Sequence, residues 1–214
     1  MNRDANTKSA ANVAGYVLAG GGSTRFGRDK ALVEVGGKLM LARMVELLQE
    51  VTQKAKVVAV RGKYETFGLE IVEDRWPGEG PLGGIITALQ HTARSPLRSE
   101  WNLIVSCDMP FLTPEWMRYM VMRAASSGAQ VILPRSASGP EPLCACWRTD
   151  TAETLRAGFE EGVRKVTGGV ALLGSEVLDE ADWKRFDSEG RLFWNMNTLA
   201  DYEEAKRNLD MGHA

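Results

Sequence analysis

Cysteine and histidine are scarce in this chain of 214 residues. Its three cysteines are too few, and odd in number, for a disulfide framework, and two histidines speak against a zinc site. We therefore expect buried structural thiols, with Cys144 and Cys146 on one face of a strand. The residues concerned are Cys107, Cys144, Cys146, His91 and His213.

Long apolar runs and a strong charge imbalance are also missing. No run approaches the roughly 18 residues that a membrane-spanning helix needs, and the polar N-terminus lacks the apolar stretch of a signal peptide. A net charge of −2 gives no overall attraction to nucleic acid or to acidic membranes, so any anion site has to be local. We expect a cytoplasmic protein that binds neither nucleic acid nor membrane.

The composition is that of a globular protein, with 44% apolar and 25% charged residues. No repeat or linker divides the chain, which predicts a flexible tail over 1–13 and a single domain over 14–214. Short apolar runs alternate with amphipathic stretches, a pattern typical of a mostly parallel sheet with helices on both faces. Strands are predicted at 15–20, 56–61, 69–74, 101–108, 129–135, 141–148 and 191–197. Helical stripes lie at 41–48, 82–89 and 116–124, with further helices at 151–159 and after Thr198, and 162–187 has no clear pattern. Thr113 is predicted to cap the third stripe, with Pro114 at the first helical position, and Thr198 is predicted to cap the last helix, with Asp201 at the third position.

The stretch LAGGGSTRFGRDKAL, residues 18–32, is rich in glycine and basic residues. It matches neither G-x-x-x-x-G-K-[ST] nor G-x-G-x-x-G, so it is neither a Walker loop nor a dinucleotide fingerprint. Consecutive glycines still let backbone N–H groups approach phosphate closely. Arg25 can grip a phosphate through two donors, and Lys30 adds a point charge. The alternative is an ordinary strand-to-helix turn with a solvated basic face.

Two more segments follow predicted strands at the edge where open α/β sheets bind ligands. Asp108 ends an apolar run and suits Mg²⁺, which favours one or two carboxylates plus substrate phosphates. As an alternative, Asp108 caps the turn before Thr113. The loop at 73–84 combines Asp74 with a Pro/Gly-rich stretch. Three interpretations of this stretch are open: it contacts a planar base, it presents a helix N-terminus to an anion, or it is simply a long turn.

Taken in order, these segments resemble the molybdenum cofactor guanylyltransferases, the nucleotidyltransferases that make molybdopterin guanine dinucleotide. The matching stretches are LAGGGSTRFGRDKAL at 18–32, GPLGG at 80–84, CDMPFL at 107–112, EPLCACW at 141–147 and NMNT at 195–198. The resemblance implies a Rossmann-like three-layer α/β/α fold. It also implies the transfer of GMP from GTP to the terminal phosphate of molybdopterin, with release of pyrophosphate.

The resemblance assigns roles residue by residue. It makes Arg25, Lys30 and Asp108 catalytic, and Asp108 the ligand of Mg²⁺, with Asn197 as a second candidate. Asn195 and Asn197 lie on the acceptor side, and which of them reaches the metal stays open. The sequence departs from the family at 58–62, where an asparagine of some members is missing, so no nucleotide contact is predicted there. The predicted nucleotide-binding residues are Leu18, Ala19, Gly20, Gly21, Lys30, Asp74, Gly80, Pro81, Gly83 and Asp108.

Several assignments stay open at this stage. Arg164 and Lys165 either meet the acceptor's phosphate or form a solvated basic pair, and Trp147 and Trp194 are hypothetical pterin contacts. A related nucleotidyltransferase using CTP or a sugar-phosphate acceptor is the close alternative. A non-catalytic nucleotide-binding module is the rival from another class. The partners implied are GTP and molybdopterin, for a monomer that contacts cofactor-biosynthesis or molybdoenzyme-maturation proteins transiently, if at all.

Overall fold

A computed structural model describes residues 12–20, 29–52, 54–187 and 189–211 of the chain. Strands and helices alternate over most of these ranges. The strands are β1 (Val13–Leu18), β2 (Glu34–Val35), β3 (Lys38–Leu39), β4 (Ala55–Ala59), β5 (Ile71–Glu73), β6 (Trp101–Ser106), β7 (Val131–Ser136), β8 (Gly139–Pro140), β9 (Cys144–Arg148) and β10 (Ser175–Leu178). The helices are α1 (Met40–Gln49), α2 (Pro81–Arg94), α3 (Pro114–Ser126), α4 (Ala152–Glu160), α5 (Val166–Val170), α6 (Glu180–Trp183) and α7 (Leu199–Met211).

The central sheet is mostly parallel, as the alternating pattern predicts. Its strand order is β5, β4, β1, β6, β9, β7 and β10, with β8 paired to β7. Strands β5, β4, β1 and β6 are mutually parallel neighbours, whereas β9 runs antiparallel to both β6 and β7. The carboxyl ends of the four parallel strands therefore meet at one edge, where the loops after β1, β5 and β6 come together.

Helices cover both faces of the sheet, which gives the three-layer architecture. Side chains of β1 alternate between the faces, because successive residues of a strand point to opposite sides. Val17 joins the core under α1, α3 and α7, whereas Tyr16 and Leu18 join the core under α2, α4 and α5.

Cys144 and Cys146 are both buried on the face of the sheet covered by α1, α3 and α7, as expected for structural thiols, and burial raises the pKa of Cys144 to about 12. Within the described ranges, no helix is both long and apolar enough to span a membrane.

Local capping signals place several helix ends correctly. Thr113 caps α3, because its Oγ1 accepts from Trp116 N at 3.3 Å, and Pro114 occupies the first turn. At the start of α7, Thr198 Oγ1 accepts from Asp201 N at 3.2 Å and Asp201 accepts from Thr198 N at 2.7 Å. This reciprocal pair is a capping box, as the sequence predicts. Ala205 is fully buried on the inner face of α7.

The strand predicted at 191–197 is wrong. The segment turns at its start, where Trp194 N donates to Arg191 O at 2.9 Å, and Met196 N donates to Asp108 O at 2.9 Å. Leu192, Phe193 and Met196 are buried, so the apolar pattern is real, but it reflects packing against the core under α1, α3 and α7. The stretch at 162–187, which has no clear sequence pattern, contains α5, β10 and α6.

A buried polar network ties α2 to the amino end of β6 and the carboxyl end of β9, which are neighbours because the two strands are antiparallel. Asn102 is fully buried, and its Oδ1 accepts from Thr92 Oγ1 at 2.5 Å. Its Nδ2 donates to Trp147 O at 3.2 Å and to Thr149 Oγ1 at 2.9 Å. Tyr16 OH lies 2.8 Å from the same Thr92 hydroxyl. All the polar atoms of the Asn102 side chain are therefore used inside the core.

Replacing Asn102 tests the weight of this network. Asn102→Ala removes one partner from each buried bond, and a buried polar group left without a partner costs about 1–3 kcal/mol. We expect the free energy of unfolding to fall by at least about 2 kcal/mol, measured by urea denaturation with an unchanged denaturant slope. The matched control is Asn208→Ala, whose amide donates to Glu204 O on the exposed side of α7. An equal, small loss of unfolding free energy in both variants would contradict the predicted contribution of the Asn102 network to stability.

Candidate active site

A cavity of about 250 Å³ opens at the carboxyl edge of the parallel strands. Its walls come from the ends of β1, β4 and β6, from the loop after β5, and from the start of α2 and the approach to β9. This is the position where open α/β sheets bind their ligands. The lining residues are Leu18, Gly20, Val58, Val60, Asp74, Gly78, Gly80, Pro81, Gly84, Ser106, Asp108 and Leu143.

Six predicted site residues line this cavity, and the other six lining positions were not predicted as site residues. Those predicted are Leu18, Gly20, Asp74, Gly80, Pro81 and Asp108. Val58 and Val60 lie in the segment for which no nucleotide contact was predicted. Gly78, Gly84 and Leu143 lie within the stretches at 73–84 and 141–147 but were not predicted as site residues, and Ser106 lies in none of the matching stretches. Sequence spacing could have indicated Ser106, since it stands two residues before Asp108 at the end of a buried strand.

The Asp74 carboxylate is fixed between the strand end and α2. Its Oδ1 accepts from Trp76 N at 3.0 Å and from Thr87 Oγ1 at 3.3 Å. The backbone N–H of Asp74 donates to Ala59 O at 2.7 Å, which extends the β4–β5 pairing by one residue. Its Oδ2 lies on the side of Gly20, 3.9 Å from where a Cβ of that glycine would be. One oxygen is thus held by the protein, and the other is turned toward the cavity.

The loop at 75–80 leads into α2 with conformations that depend on glycine. Gly80 precedes the helix at φ +93°, a backbone conformation that residues with a Cβ rarely adopt. Pro81 then occupies the first helical position. Gly83, predicted to bind nucleotide, serves packing as well: a Cβ there would lie 2.9 Å from the Cβ of Trp76. The N-terminus of α2 adjoins the cavity at Pro81, so the positive end of the helix dipole lies there, and no side chain caps it.

Lys30, Asp108 and Asn197 come together from three distant segments. The Lys30 Nζ donates to Asn197 Oδ1 at 2.9 Å and to Asp108 Oδ2 at 3.3 Å. The Lys30 and Asp108 side chains are only 16% and 19% exposed, so their charges interact in a partly desolvated setting. Ser106 Oγ donates to the other oxygen of Asp108 at 2.6 Å and so fixes the orientation of the carboxylate.

The two asparagines of the N-x-N pair play different structural roles. Asn197 faces Lys30, whereas the Asn195 amide donates to Phe193 O at 3.1 Å, within its own turn. Trp194 packs on Phe111 at a ring distance of 5.6 Å. Trp147 is fully buried on β9, so the hypothesis that it contacts a pterin is wrong. It pairs with Asn102 and Val131, at the end of the sheet away from the cavity.

Two aspartates support the cluster through the backbone. Asp201 Oδ2 accepts from Asn197 N at 2.7 Å and holds the turn that presents Asn197 to Lys30. Burial alone would raise the pKa of Asp201, but the hydrogen bonds from Asn197 and Thr198 and the charge of Lys30 outweigh it, so the pKa is lowered. Asp29 caps the short helical turn at Lys30–Leu32, its Oδ1 accepting from Ala31 N at 3.1 Å.

Asp29 also ties the end of the glycine-rich stretch to the segment after β4. Its Oδ2 accepts from Lys63 Nζ and from Tyr64 OH, both at 2.8 Å. Burial acts to raise the pKa of Asp29, but these two hydrogen bonds prevail and the pKa is lowered. Gly21 and Arg25, both predicted site residues of this stretch, lie outside the described residues.

The side-chain oxygens at the cluster are ligands that suit a hard divalent cation. The carboxylate of Asp108 and the amide oxygen of Asn197 are both within hydrogen-bond reach of the same ammonium group. Among the described residues, no group of three or more His, Cys, Asp or Glu could hold a metal ion by itself. Such a site suits a cation that takes most of its ligands from a bound triphosphate and water.

The three-layer fold with a cavity at the carboxyl edge of its sheet is shared with nucleotidyltransferases, and the chain is one of them. The chain belongs to the family of the MobA-like NTP transferase domain, whose family model matches residues 15–175. This confirms the resemblance seen in the sequence.

Individual relatives agree with the family assignment. A probable molybdenum cofactor guanylyltransferase from Pelotomaculum thermopropionicum is 34% identical over 90% of this chain and 91% of its own length. The molybdopterin-guanine dinucleotide biosynthesis protein A from Archaeoglobus fulgidus superimposes with a TM-score of 0.80 at 25% identity, covering 92% of this chain and 99% of that one. A Mycobacterium tuberculosis protein in complex with manganese shares the fold, with a TM-score of 0.61 at 16% identity over 92% of this chain and 98% of that one.

Removing the Asp201 carboxylate tests its support of the Asn197 turn. Because the pKa of Asp201 is lowered in the folded protein, its stabilisation is present above the ordinary value of 3.8 and is lost as the pH falls through the folded value. We expect Asp201→Ala to lower the free energy of unfolding by about 1 kcal/mol at neutral pH, as for a lost helix cap. The difference from wild type should shrink below about pH 4.

Asp210→Ala is the control for this measurement, since it removes an exposed carboxylate from the other end of the same helix. Chemical denaturation between neutral and acidic pH provides the readout. A pH-independent difference for Asp201→Ala would show that the carboxylate charge does not hold the turn.

Proposed function

We propose that this protein transfers GMP from GTP to the terminal phosphate of molybdopterin, forming molybdopterin guanine dinucleotide and releasing pyrophosphate. The observation that carries the proposal is the Lys30–Asp108–Asn197 cluster beside the edge cavity. Family membership and the names of the relatives support the choice of GTP and molybdopterin.

The cavity offers a place for the nucleoside. The backbone at Leu18–Gly20, together with Gly21, would follow one side of the nucleotide, and the free oxygen of Asp74 would accept a hydrogen bond from it. The wall at Gly80 and Pro81 would lie against the base, with Gly83 behind it under Trp76. Glycines suit such a wall, because the backbone can approach a planar ring without a Cβ in the way.

The triphosphate would extend from the cavity to the cluster. Lys30 would leave its present partners and neutralise phosphate charge, and Arg25 would add a second, bidentate contact. Asp108, oriented by Ser106, would hold Mg²⁺ together with phosphate oxygens, and Asn197 would contribute its amide oxygen. When bound, Mg²⁺ supplies charge stabilisation at the transferring phosphoryl group.

The reaction needs alignment rather than acid–base chemistry. A phosphate oxygen of the acceptor forms a bond to the α-phosphorus of GTP, while the bond from that phosphorus to the bridging oxygen of the β-phosphate breaks. Pyrophosphate leaves with the electron pair, so atoms and charge balance without a proton transfer from the protein. Positioning and charge neutralisation would supply the rate enhancement. Asn195 and Asn197 mark the side from which the acceptor would approach.

The proposed reaction also bears on the cellular location and oligomeric state of the protein. A reaction that consumes GTP suits the cytoplasm, and the sites described require no second copy of the chain. We therefore propose a monomeric cytoplasmic enzyme whose contacts with other cofactor-biosynthesis or molybdoenzyme-maturation proteins are transient.

Two substitutions test the catalytic cluster. Lys30→Ala and Asp108→Ala should each lower turnover by at least about two to three orders of magnitude, since each removes a charge aimed at the reacting phosphates. Pyrophosphate release measures turnover, and circular dichroism checks that each variant is folded. Lys38→Ala, which removes an exposed lysine paired with Glu46, is the matched control. Turnover close to wild type in either folded cluster variant would refute the assignment.

Nucleotide and acceptor choice need a separate test. Purified protein with Mg²⁺ and molybdopterin is given GTP, CTP or ATP, and pyrophosphate and the dinucleotide product are quantified. We expect GTP to give product at a rate well above CTP and ATP. Preference for CTP would establish the close alternative, and GTP binding without product from any phosphate acceptor would favour a non-catalytic module.

A further inference from the structure

The loop at 75–80 forms one wall of the cavity and contains no helix or strand. Gly78 and Gly80 line the cavity directly. A hydrogen bond from Glu79 N to Trp76 O, at 3.2 Å, closes a turn within the loop. The position of this wall relative to a nucleotide therefore depends on what holds Trp76 and Glu79 from outside.

Trp76 provides the first anchor. Its side chain packs over Gly83 at the start of α2, and its ring lies 5.6 Å from the ring of Phe159 on α4. This contact fixes the middle of the loop against two helices. It leaves the end of the loop, at Glu79 and Gly80, to be held by something else.

Arg164, in the connection between α4 and α5, provides the second anchor. Its Nε donates to Glu79 Oε2 at 2.9 Å, and its Nη1 donates to Phe159 O at 2.5 Å. The guanidinium carbon lies 4.1 Å from the centre of the Phe159 ring, within cation–π range. The backbone carbonyl of Arg164 also lies beside Gly80, 3.9 Å from where a Cβ would be.

These contacts hold the Arg164 guanidinium in one orientation between Phe159 and Glu79. One side of the guanidinium is fixed by Phe159, the same residue that supports Trp76, and the other side reaches the carboxylate of Glu79. A planar guanidinium can serve both directions at once, whereas a lysine ammonium cannot reproduce the stacked geometry. The Arg164 and Glu79 side chains are 46% and 52% exposed, so the ion pair adds little to global stability.

We propose that Arg164 is a positioning residue for nucleotide binding, which holds the loop at 75–80 against the bound nucleotide through Glu79. This inference rests on the proposed function, since it takes the cavity to be the nucleotide site. It assigns Arg164 a role different from both sequence hypotheses, the acceptor-phosphate contact and the solvated basic pair. Loosening the wall weakens binding of the nucleotide but leaves the phosphates and their cluster in place.

Steady-state kinetics of Arg164→Met test the proposal. Methionine keeps the unbranched stem and removes the charge and the donors. We expect the KM for GTP to rise about 5-fold to 10-fold, consistent with losing a part-exposed ion pair and a cation–π contact. The kcat should stay within about twofold of wild type, because no group in contact with the α-phosphorus changes. Glu79→Gln should show the same split with a smaller rise.

Two further variants separate positioning from a general structural effect. Arg156→Met removes an arginine of α4 whose ion pairs, to Glu153 and Glu160, are with residues of the same helix, and it should leave the KM for GTP unchanged. The exchange Arg164→Glu with Glu79→Arg should recover part of the affinity lost in the single Arg164→Glu variant. A thermal melt of each variant checks that folding is intact.

Three results would overturn the inference. An unchanged KM for GTP in folded Arg164→Met would remove the positioning role. A rise confined to the KM for molybdopterin would assign Arg164 to the acceptor's phosphate instead. An unchanged KM for GTP in folded Glu79→Gln would show that the Arg164–Glu79 pair is not the cause. If the wild-type protein turns over no nucleotide at all, the proposed function fails first, which the wild-type assay shows before any variant is compared.

Discussion

The geometry of the site depends on the Lys30 ammonium group and its two oxygen partners. Lys30 lies 78 residues from Asp108 and 167 from Asn197 along the chain. The ammonium neutralises the partly buried carboxylate of Asp108, which would otherwise stand unpaired near the cavity. The same contact joins the stretch after β1, the loop after β6 and the turn before α7. In the proposed reaction, a bound triphosphate and cation would replace this ion pair with equivalent partners.

The sheet gives that cluster its fixed position. β1 and β6 are parallel neighbours in register from Val13 to Leu18, and Cys107 N continues the ladder by donating to Leu18 O at 3.2 Å. Asp108 therefore emerges one residue beyond the last paired position. Its carbonyl accepts from Met196 N, which docks the turn carrying Asn197 directly onto the strand end. Backbone hydrogen bonds therefore set the positions of Asp108 and of the turn that carries Asn197.

The sequence predicts elements whose signals are local, and it fails where a contact is made at long range. The caps at Thr113 and Thr198 and the apolar stripes of α2 and α3 are local, and these elements are confirmed. The apolar alternation at 191–197 has two physical explanations, pairing in a ladder or packing of a turn, and periodicity alone does not separate them.

The same limit applies to the site. The location of Asp74 and Asp108 at the site can be predicted from the sequence, because a carboxylate directly after a buried strand falls at the ligand-binding edge. In a predicted strand, Asn195 and Asn197 look equivalent, because residues two apart share a face. In the observed turn they differ: the Asn195 amide bonds to Phe193 O within the turn, whereas Asn197 faces Lys30. Thr87 and Arg164 carry no motif at all. Their roles arise from a helix face and an interhelical connection meeting loops more than ten residues away.

Capping, rather than deep burial, positions most of the polar groups at the site. Asp29 caps the turn that begins with Lys30, Asp201 caps the helix that follows Asn197, and Asp74 and Thr87 close the start of the loop at 75–80. Each cap is worth about 1 kcal/mol, a small part of the free energy that stabilises a domain of this size. Each also sets the direction of a group that would contact the nucleotide or its phosphates. Changes at these supporting residues should therefore affect proposed catalysis more than stability, whereas changes in the Asn102 network should do the reverse.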